Sequence, residues 1–184
     1  ILDAASQVFA KKGVHESRMD DIVKKSGLSK GTLYWYFKSK DDILIGIFEQ
    51  MFHREFEELE HLQHLEGTAS DRLLYFTEQV IRDINKMLRF MPIAYEFISL
   101  AFRRKFVQES FKQYINTFID ILVPIIQQGI DSGEFHPVDP LEVAIASSAI
   151  FEGTILLWVY DKTLVNPDQH IRAGINLILA GIKT

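Results

Sequence analysis

Apolar positions recur at helical spacing along almost the whole chain, and no segment shows the sustained alternation that is typical of a strand. In the first helix these positions are Ile1, Leu2, Ala5, Val8 and Phe9. The pattern predicts an all-α protein of about nine helices.

Polar residues and glycines predict where the N-terminal helices begin and end. Gly13 ends the first helix. Ser17 with Asp20 is typical of a capping box at the start of a short second helix. Ser29 caps a third helix that runs to about Phe37. A helix-turn-helix head is therefore expected near the N-terminus.

A long fourth helix, residues 40–64, follows the capping pair Ser39 and Asp42 and links this head to a larger body. The predicted domains are a DNA-binding head, residues 1–46, and an effector-binding and dimerisation body, residues 47–184. Gly67–Ser70 interrupts the helical pattern between them.

The body contains five further predicted helices. Three have approximate limits, and Pro124 inside the third of them should kink it or shift its boundary. The pairs Asp139-Pro140 and Asn166-Pro167 mark the last two starts, each with an N-cap residue and a proline at the first helical position. The approximate limits are 71–88, 92–103 and 106–131, and a loop is expected over Gly133–Val138.

Composition favours a globular cytoplasmic protein. Hydrophobic residues make up 47% of the chain and charged residues 24%, which is enough apolar material for a packed core. Without cysteine the chain has neither disulfides nor thiolate metal ligands, and this fits a reducing compartment. The longest uninterrupted apolar run, Ile155–Tyr160, is far shorter than the roughly 18 residues of a membrane span.

Charge is unevenly distributed along the chain. Residues 1–40 carry eight basic and four acidic side chains, a net charge of +4, whereas the other 144 residues carry twelve and twenty-one, a net charge of −9. A basic head on an acidic body is expected of a protein that binds phosphates at one end.

Residues 18–37, with the sequence RMDDIVKKSGLSKGTLYWYF, carry the pattern of a helix-turn-helix. The second and third helices meet at Ser26-Gly27-Leu28, a tight turn that contains glycine. Apolar residues on both helices are expected to hold them against the first helix. They are Ile22, Val23, Leu28, Leu33 and Phe37.

The third helix is the predicted recognition helix, which enters the major groove with its N-terminus first. Lys30 can reach a phosphate or guanine acceptors, Thr32 offers a hydroxyl and a methyl group, and Gly31 lets the backbone approach. Ser29 belongs to the same helix start. Ser17 and Arg18, before the second helix, complete this part of the candidate DNA-binding set.

Three consecutive aromatic residues follow, Tyr34, Trp35 and Tyr36. Successive residues on a helix lie about 100° apart, so all three cannot face the interior. The two tyrosines are expected to bond phosphates with their hydroxyl groups, whereas core packing and DNA contact remain equal alternatives for Trp35. Lys40, at the start of the fourth helix, is also a candidate phosphate ligand.

These residues resemble the tetracycline-repressor (TetR) family of regulators. The similarity covers about the first 50 residues, from ILDAASQVFAKKG through Met19–Gly27 to the run from Ser29 to Lys40. It implies that Lys30, Gly31 and Thr32 face bases. It also implies that a second group faces the DNA backbone, namely Tyr34, Trp35, Tyr36 and Lys40.

The last two helices are apolar on more than one face, so each must bury a second face against another element. Either both helices are central to one protomer, or one face meets a second copy. The resemblance implies a four-helix seam in a homodimer, which suits a palindromic operator. The candidate interface residues are Ser147, Ile150, Thr154, Leu157, Ile171, Gly174, Ile175, Ile178 and Ile182.

The body is rich in aromatic residues, which individually suit an ordinary core and together permit an apolar ligand cavity. The resemblance implies an effector pocket among the middle helices, and we expect an apolar or aromatic effector. The candidate lining residues are Phe56, Phe76, Phe90, Tyr95, Phe97, Phe102, Tyr114, Phe118, Phe151 and Trp158.

Other ionisable groups in the body are given simpler interpretations. Glu96 and Glu152 lie in apolar surroundings, where a carboxylate needs a partner such as an arginine, the dimer mate or a cationic effector. A further group shares one helix face and could hold zinc, but a solvated charged face is favoured, so no metal or cofactor is expected. These residues are His53, Glu57, His61 and His64.

The favoured function is a ligand-responsive DNA-binding regulator, more often a repressor in the family that the head resembles. The alternative is a helical ligand-binding or scaffold protein whose head contacts protein instead of DNA. An enzyme has no support, because the sequence contains no nucleophile–base set and no phosphate-binding glycine loop.

Overall fold

A computed structural model gives the fold. It describes the backbone of residues 1–59, 62, 65–87 and 99–184, and the side chains of residues 1–50, 62, 65–82 and 99–184. The helices are α1 (Leu2–Lys12), α2 (Met19–Ser26), α3 (Lys30–Tyr36), α4 (Lys40–Leu59), α5 (Ala69–Met87), α6 (Lys105–Asp131), α7 (Pro140–Tyr160) and α8 (Pro167–Ile182).

The all-α prediction is confirmed. Residues 99–101 are also helical, and with them as a ninth helix the described part of the chain has the predicted number. The only strand-like pairing in that part is a single antiparallel bridge between Phe135 and Lys183. Helix α6 continues through Pro124, so this proline does not move the predicted boundary.

Several sequence predictions concern side chains outside the described part of the chain. Among the pocket candidates these are Phe56, Phe90, Tyr95 and Phe97. The same holds for Glu96 and for the possible metal ligands His53, Glu57, His61 and His64.

Most of the predicted helix ends are confirmed by hydrogen bonds. At the start of α4, Ser39 Oγ accepts the Asp42 N–H at 3.1 Å and the Asp42 carboxylate accepts the Ser39 N–H at 3.1 Å, a reciprocal capping box. Asp139 and Asn166 cap α7 and α8, and a proline follows each of them. Gly27 ends α2 with φ of 71°, a left-handed conformation that glycine adopts without steric cost.

Two predicted starts are wrong. Helix α2 begins after Arg18, whose backbone N–H donates to the Asp21 carboxylate at 2.9 Å, because the Ser17 hydroxyl is already bonded to the Gly13 carbonyl. Helix α5 begins two residues before the predicted position. There Thr68 and Asp71 form the capping pair, each accepting the N–H of the other.

Contacts divide the chain into two compact units. The first contains Ile1–Glu55 and Asn85–Tyr114, and the second contains Phe56–Ile84 and Ile115–Thr184. In the first unit, residues of α1 to α4 share one core with Val107 of α6. The core of the second unit is built from α5, α6, α7 and α8. A separate head of residues 1–46 stays a prediction.

Helix α7 corrects the expectation that no segment of the chain is long and apolar enough to span a membrane. It is the one described helix that is long and apolar enough to cross a bilayer, and 28% of its most apolar stretch is buried within the protomer. The sequence contains no uninterrupted apolar run of this length, because serine, threonine and glutamate interrupt the otherwise apolar sequence of α7. Much of an apolar helix is therefore left uncovered in the isolated protomer.

The predicted dimer seam also needs correction. Ile171, Ile175 and Ile182 are buried in the core of their own protomer, and so are Ser147 and Thr154 of α7. With at most 8% of their surface exposed, these residues offer little contact area to a partner. The apolar periodicity of α8 was real, but it marks the inward face of the helix.

Three other seam candidates are partly buried, and one is exposed. Ile150 packs tightly on Gly174, where an added Cβ would approach the Ile150 Cγ2 atom to 2.7 Å, so these two residues hold α7 against α8. Ile178 packs against the core of the second unit. Leu157 remains exposed and available to a partner.

Candidate nucleic-acid interface

Helix α3 is fixed to the head by one face and exposed on the others. Its Leu33 is completely buried among residues of α1, α2 and α4, and Phe37 packs at the edge of the same core. Leu28, in the turn, is 39% exposed, so most of its surface is covered and its part in holding the helices stays a prediction. Leu33 therefore orients the middle of α3.

The start of α3 presents a compact polar surface. Ser29 Oγ accepts the Thr32 N–H at 3.0 Å and lies 2.8 Å from the Thr32 hydroxyl, so these two candidate residues are held together. Both remain exposed, as do Lys30 and Gly31. The arrangement caps the helix and leaves its first turn accessible to a ligand.

Lys30 is the only cationic residue of α3, and it is paired within the head. Its Nζ atom lies 2.8 Å from the Asp20 carboxylate of α2 and 6.0 Å from the centre of the Tyr34 ring. The hydrogen bond and the charge of Asp20 raise the pKa of the Lys30 ammonium above its ordinary value. The sequence pattern does not reveal this contact, because it places Asp20 in a capping box.

The aromatic residues of α3 are exposed, in agreement with the geometric expectation. Tyr34, Trp35 and Tyr36 all lie at the surface, and 71% of Trp35 is accessible, which excludes core packing for it within the protomer. The rings of Trp35 and Tyr36 meet edge to face with their centres 4.5 Å apart. Their surface positions suit contact with an external ligand.

Two predicted DNA ligands have their polar groups occupied within the head. Ser17 is only 2% exposed and its hydroxyl donates to the Gly13 carbonyl at 2.6 Å, so it is removed from the candidate set. The Lys40 ammonium donates to the carbonyls of Val14, His15 and Ser17 at 2.6 to 2.8 Å. It thus joins α4 to the loop before α2.

The remaining candidate, Arg18, is exposed at the start of α2. Close to it, Lys12 of α1 pairs with Asp21 of α2 at 2.6 Å. The hydrogen bond from Lys12 and that from the Arg18 N–H lower the pKa of the Asp21 carboxyl. These contacts fix α2 relative to α1.

Three of the predicted pocket residues come together in the second unit. The rings of Phe76, Phe118 and Phe151 form a buried cluster with centres 4.8 to 6.2 Å apart. Two of them line a narrow apolar cleft, in which the hydroxyls of Thr77 and Ser147 are bonded to carbonyls of their own helices. The cleft is lined by Leu73, Phe76, Thr77, Leu122, Ser147, Phe151, Ile175, Ile178 and Leu179.

The other described pocket candidates do not join this cluster. Phe102 is 85% exposed, and Tyr114 packs with Phe48 and Phe111 in the first unit. Trp158 is half-buried, and the Lys162 ammonium lies 4.8 Å from the centre of its ring. Sequence alone could not separate these residues from the buried cluster, because all of them are aromatic residues of predicted helices.

Helices α2 and α3, joined by the tight turn at Gly27, form a helix-turn-helix. Helix α3 is short and exposed, with one cation, a capped polar start and three surface aromatics. These features are those of a DNA-binding protein. Residues 1–47 match the model of the family described as bacterial regulatory proteins, tetR family. The uncharacterized HTH-type transcriptional regulator YfiR of Bacillus subtilis is 30% identical over 143 residues, which are 77% of this chain and 69% of that protein. The chain therefore belongs to the tetR family, and it is a DNA-binding transcriptional regulator.

Two further similarities extend over nearly the whole chain. The fatty acid metabolism regulator protein of Bacillus subtilis is 29% identical over 188 residues, covering 99% of this chain and 93% of that protein. The crystal structure of the Bacillus subtilis regulator FadR in complex with stearoyl-CoA superposes with a TM-score of 0.79 at 24% identity, covering 98% and 97% of the two chains. The scaffold alternative is not favoured.

Proposed function

We propose that this regulator is a cytoplasmic homodimeric repressor that binds a palindromic operator and releases it when an acyl thioester binds to the body. The exposed helix α3 carries the DNA-binding part of the proposal, because Leu33 is buried while Lys30 and the three aromatic residues remain accessible. In this proposal, residues 1–46 form the DNA-binding head.

Within this head we assign different tasks to different residues. Lys30, Gly31 and Thr32, in the first turn of α3, face base edges, with Ser29 and Arg18 beside them. Tyr34, Trp35 and Tyr36 contact the sugar–phosphate backbone on the walls of the groove. Lys40 is assigned an indirect part, because its ammonium donates to three carbonyls of the loop before α2 and so positions that helix.

The DNA-binding proposal is tested on an operator selected by the purified protein from a random duplex pool. Lys30→Gln should weaken operator binding about 10- to 100-fold, the effect of losing one base contact, and Tyr34→Phe should weaken it less. Lys162→Gln removes the same charge from the body and should leave binding unchanged. Operator affinity that is independent of Lys30, or of salt concentration, would contradict the assignment.

The exposed apolar face of α7 and α8 supports the dimer. On α7 this face contains Ile145, Leu156 and Tyr160, with Leu157 beside it, and on α8 it contains Leu177. We propose that this face packs against the same face of a second copy, because a two-fold interface is self-complementary. It replaces the buried isoleucines as the expected seam.

The acyl thioester is proposed from the relatives and from the aromatic cleft. One relative over the whole chain is a fatty acid metabolism regulator, and a structure with the same fold holds stearoyl-CoA. The cleft around Phe76 and Phe151 has an apolar lining, and its two hydroxyls are already bonded to backbone carbonyls. Such a lining favours a hydrocarbon chain over a polar ligand.

Entry of an acyl chain would couple to the dimer through α7 and α8. Both helices line the narrow cleft with one face and carry the proposed seam on the other. A chain that separates the lining residues must therefore shift these helices. The ligand favours the DNA-free state only as far as it binds that state more tightly.

The effector is tested by adding coenzyme A, a short acyl-CoA and a long acyl-CoA to the protein–operator complex. A long acyl-CoA should release the DNA, whereas coenzyme A alone should not. Phe118→Ala should change the preferred chain length, because it enlarges the cluster beside the cleft. Release by polar compounds alone, with no response to any acyl-CoA, would contradict this effector while leaving the DNA-binding assignment intact.

A further inference from the structure

The contact between Asp20 and Lys30 places a carboxylate beside the only cation of the recognition helix. The two atoms lie 2.8 Å apart, and both side chains are largely exposed to solvent. The pair therefore forms on the surface where a duplex would lie, and its Lys30 ammonium can be exchanged between Asp20 and a DNA acceptor.

Asp20 is free of the helix-capping task that its sequence position suggests. The backbone N–H at the start of α2 is accepted by Asp21, which is also the partner of Lys12. Asp20 is thus the acidic residue of α2 whose carboxylate is directed to α3. An acid in this position is unfavourable for a surface that approaches phosphates, unless it has a function there.

We propose that Asp20 is a specificity-determining residue, which holds Lys30 and releases it only to a base acceptor of the operator. The inference rests on the proposed role of α3 in DNA binding. On unrelated DNA, a phosphate must compete with the Asp20 carboxylate for the Lys30 ammonium. Exchanging one anionic partner for another therefore adds little binding free energy. On the operator, a guanine whose O6 and N7 lie opposite the helix start would accept the ammonium in fixed geometry.

The physical consequence is a lower affinity for unrelated DNA. Non-specific binding comes almost entirely from cations that replace counterions on phosphates. Because Lys30 is paired with Asp20, it does not neutralise a phosphate of unrelated DNA. The ratio between operator and non-specific affinity is raised, although no contact to the operator is added.

The test compares Asp20→Asn with the wild type on the selected operator and on a scrambled duplex of equal length, over a range of salt concentrations. Asp20→Asn should bind the scrambled duplex about three- to tenfold more tightly and steepen its salt dependence by about 0.9, the value for one additional phosphate contact. Operator affinity should change less, so that the specificity ratio falls.

Controls separate this role from a general charge effect. Asp3→Asn removes one acid from α1 of the same unit and should leave the specificity ratio unchanged. Asp20→Glu keeps the carboxylate and should retain most of the wild-type ratio. In a Lys30→Met background, Asp20→Asn should have no more effect than Asp3→Asn.

An unchanged ratio in Asp20→Asn, or an equal effect with and without Lys30, would overturn the inference. Failure of the wild type to bind any duplex with steep salt dependence would instead overturn the proposed function.

Discussion

At the scale of single residues, the head shows how a cation that suits DNA can serve the fold instead. Lys40 has three ammonium protons, and each has a carbonyl partner in the loop between α1 and α2. The carbonyls of Val14, His15 and Ser17 converge there because Gly13 has already ended α1. Lys40 thus stabilises a turn that positions α2.

We therefore predict that Lys40→Met lowers the free energy of unfolding by about 1 to 3 kcal/mol, the range for hydrogen bonds to a charged group. Urea denaturation should show a lower midpoint with an unchanged slope. Lys24→Met changes an exposed lysine of α2 and should stay within about 0.5 kcal/mol of the wild type. If Lys40→Met kept full stability and lost only DNA binding, a direct phosphate contact would be the better assignment.

The same residues show the limits of sequence-based prediction at this scale. The exposure of Tyr34, Trp35 and Tyr36 follows from helical geometry, since only one face of α3 can reach the core. The contact of Asp20 with Lys30 does not follow, because the turn between α2 and α3 determines which side chains meet. Sequence gives the chemical types of the site residues, and folding selects their partners.

At the scale of helices, the predicted ends are right where the capping partners are neighbours in sequence. Ser39 with Asp42 lies within one helical turn, and so do the N-caps Asp139 and Asn166, so their patterns are visible in the sequence. Helix α5 has in addition a partner that no local pattern reveals. Glu134, more than sixty residues away, accepts the N–H groups of Ala69 at 2.8 Å and Ser70 at 3.0 Å.

Glu134 should make stability depend on pH. Partial burial acts to raise the pKa of its carboxyl, but the hydrogen bonds from Ser70 and Ala69 outweigh this and lower the pKa. A carboxyl with a lowered pKa in the folded state stabilises the fold above its unfolded value of about 4.3. This stabilisation is lost as the pH falls through the folded-state value.

Glu134→Gln should lower the free energy of unfolding by about 1 kcal/mol at neutral pH, the usual contribution of a helix cap. The difference in unfolding free energy between this variant and the wild type should shrink as the pH falls below about 5, because the wild-type carboxyl also becomes neutral. Chemical denaturation at a series of pH values measures this. Glu66→Gln changes an exposed acid just before α5 and should show no comparable difference, and a Glu134→Gln penalty that persisted in acid would contradict the cap.

At the scale of the whole molecule, a helix with two apolar faces explains why the sequence predicts a dimer but does not predict which surface forms it. Apolar periodicity showed that α7 and α8 must each bury two faces. It does not say which face lies inside the protomer. Ile171 and Ile175 occupy the core, whereas Leu177 on the other side of α8 is 75% exposed.

The exposed face of α7 and α8 yields the last prediction. Leu177→Glu should convert the dimer to a monomer, because a leucine that gains about 1.5 to 3 kcal/mol by burial is replaced by a charge that would lose its water. Light scattering during size-exclusion chromatography measures the mass. Operator affinity should fall at least about 100-fold, since a monomer reaches one half-site and loses the effective concentration of the second head.

Leu74→Glu provides the matched control, because it introduces the same charge at an exposed leucine of α5 in the same unit. This variant should remain dimeric and bind the operator normally. Unchanged helical circular dichroism in both variants would show that neither has unfolded. A Leu177→Glu protein that stayed dimeric would place the seam on another surface. The exposed apolar residues of α7, among them Ile145, Leu156 and Leu157, would then need a different partner.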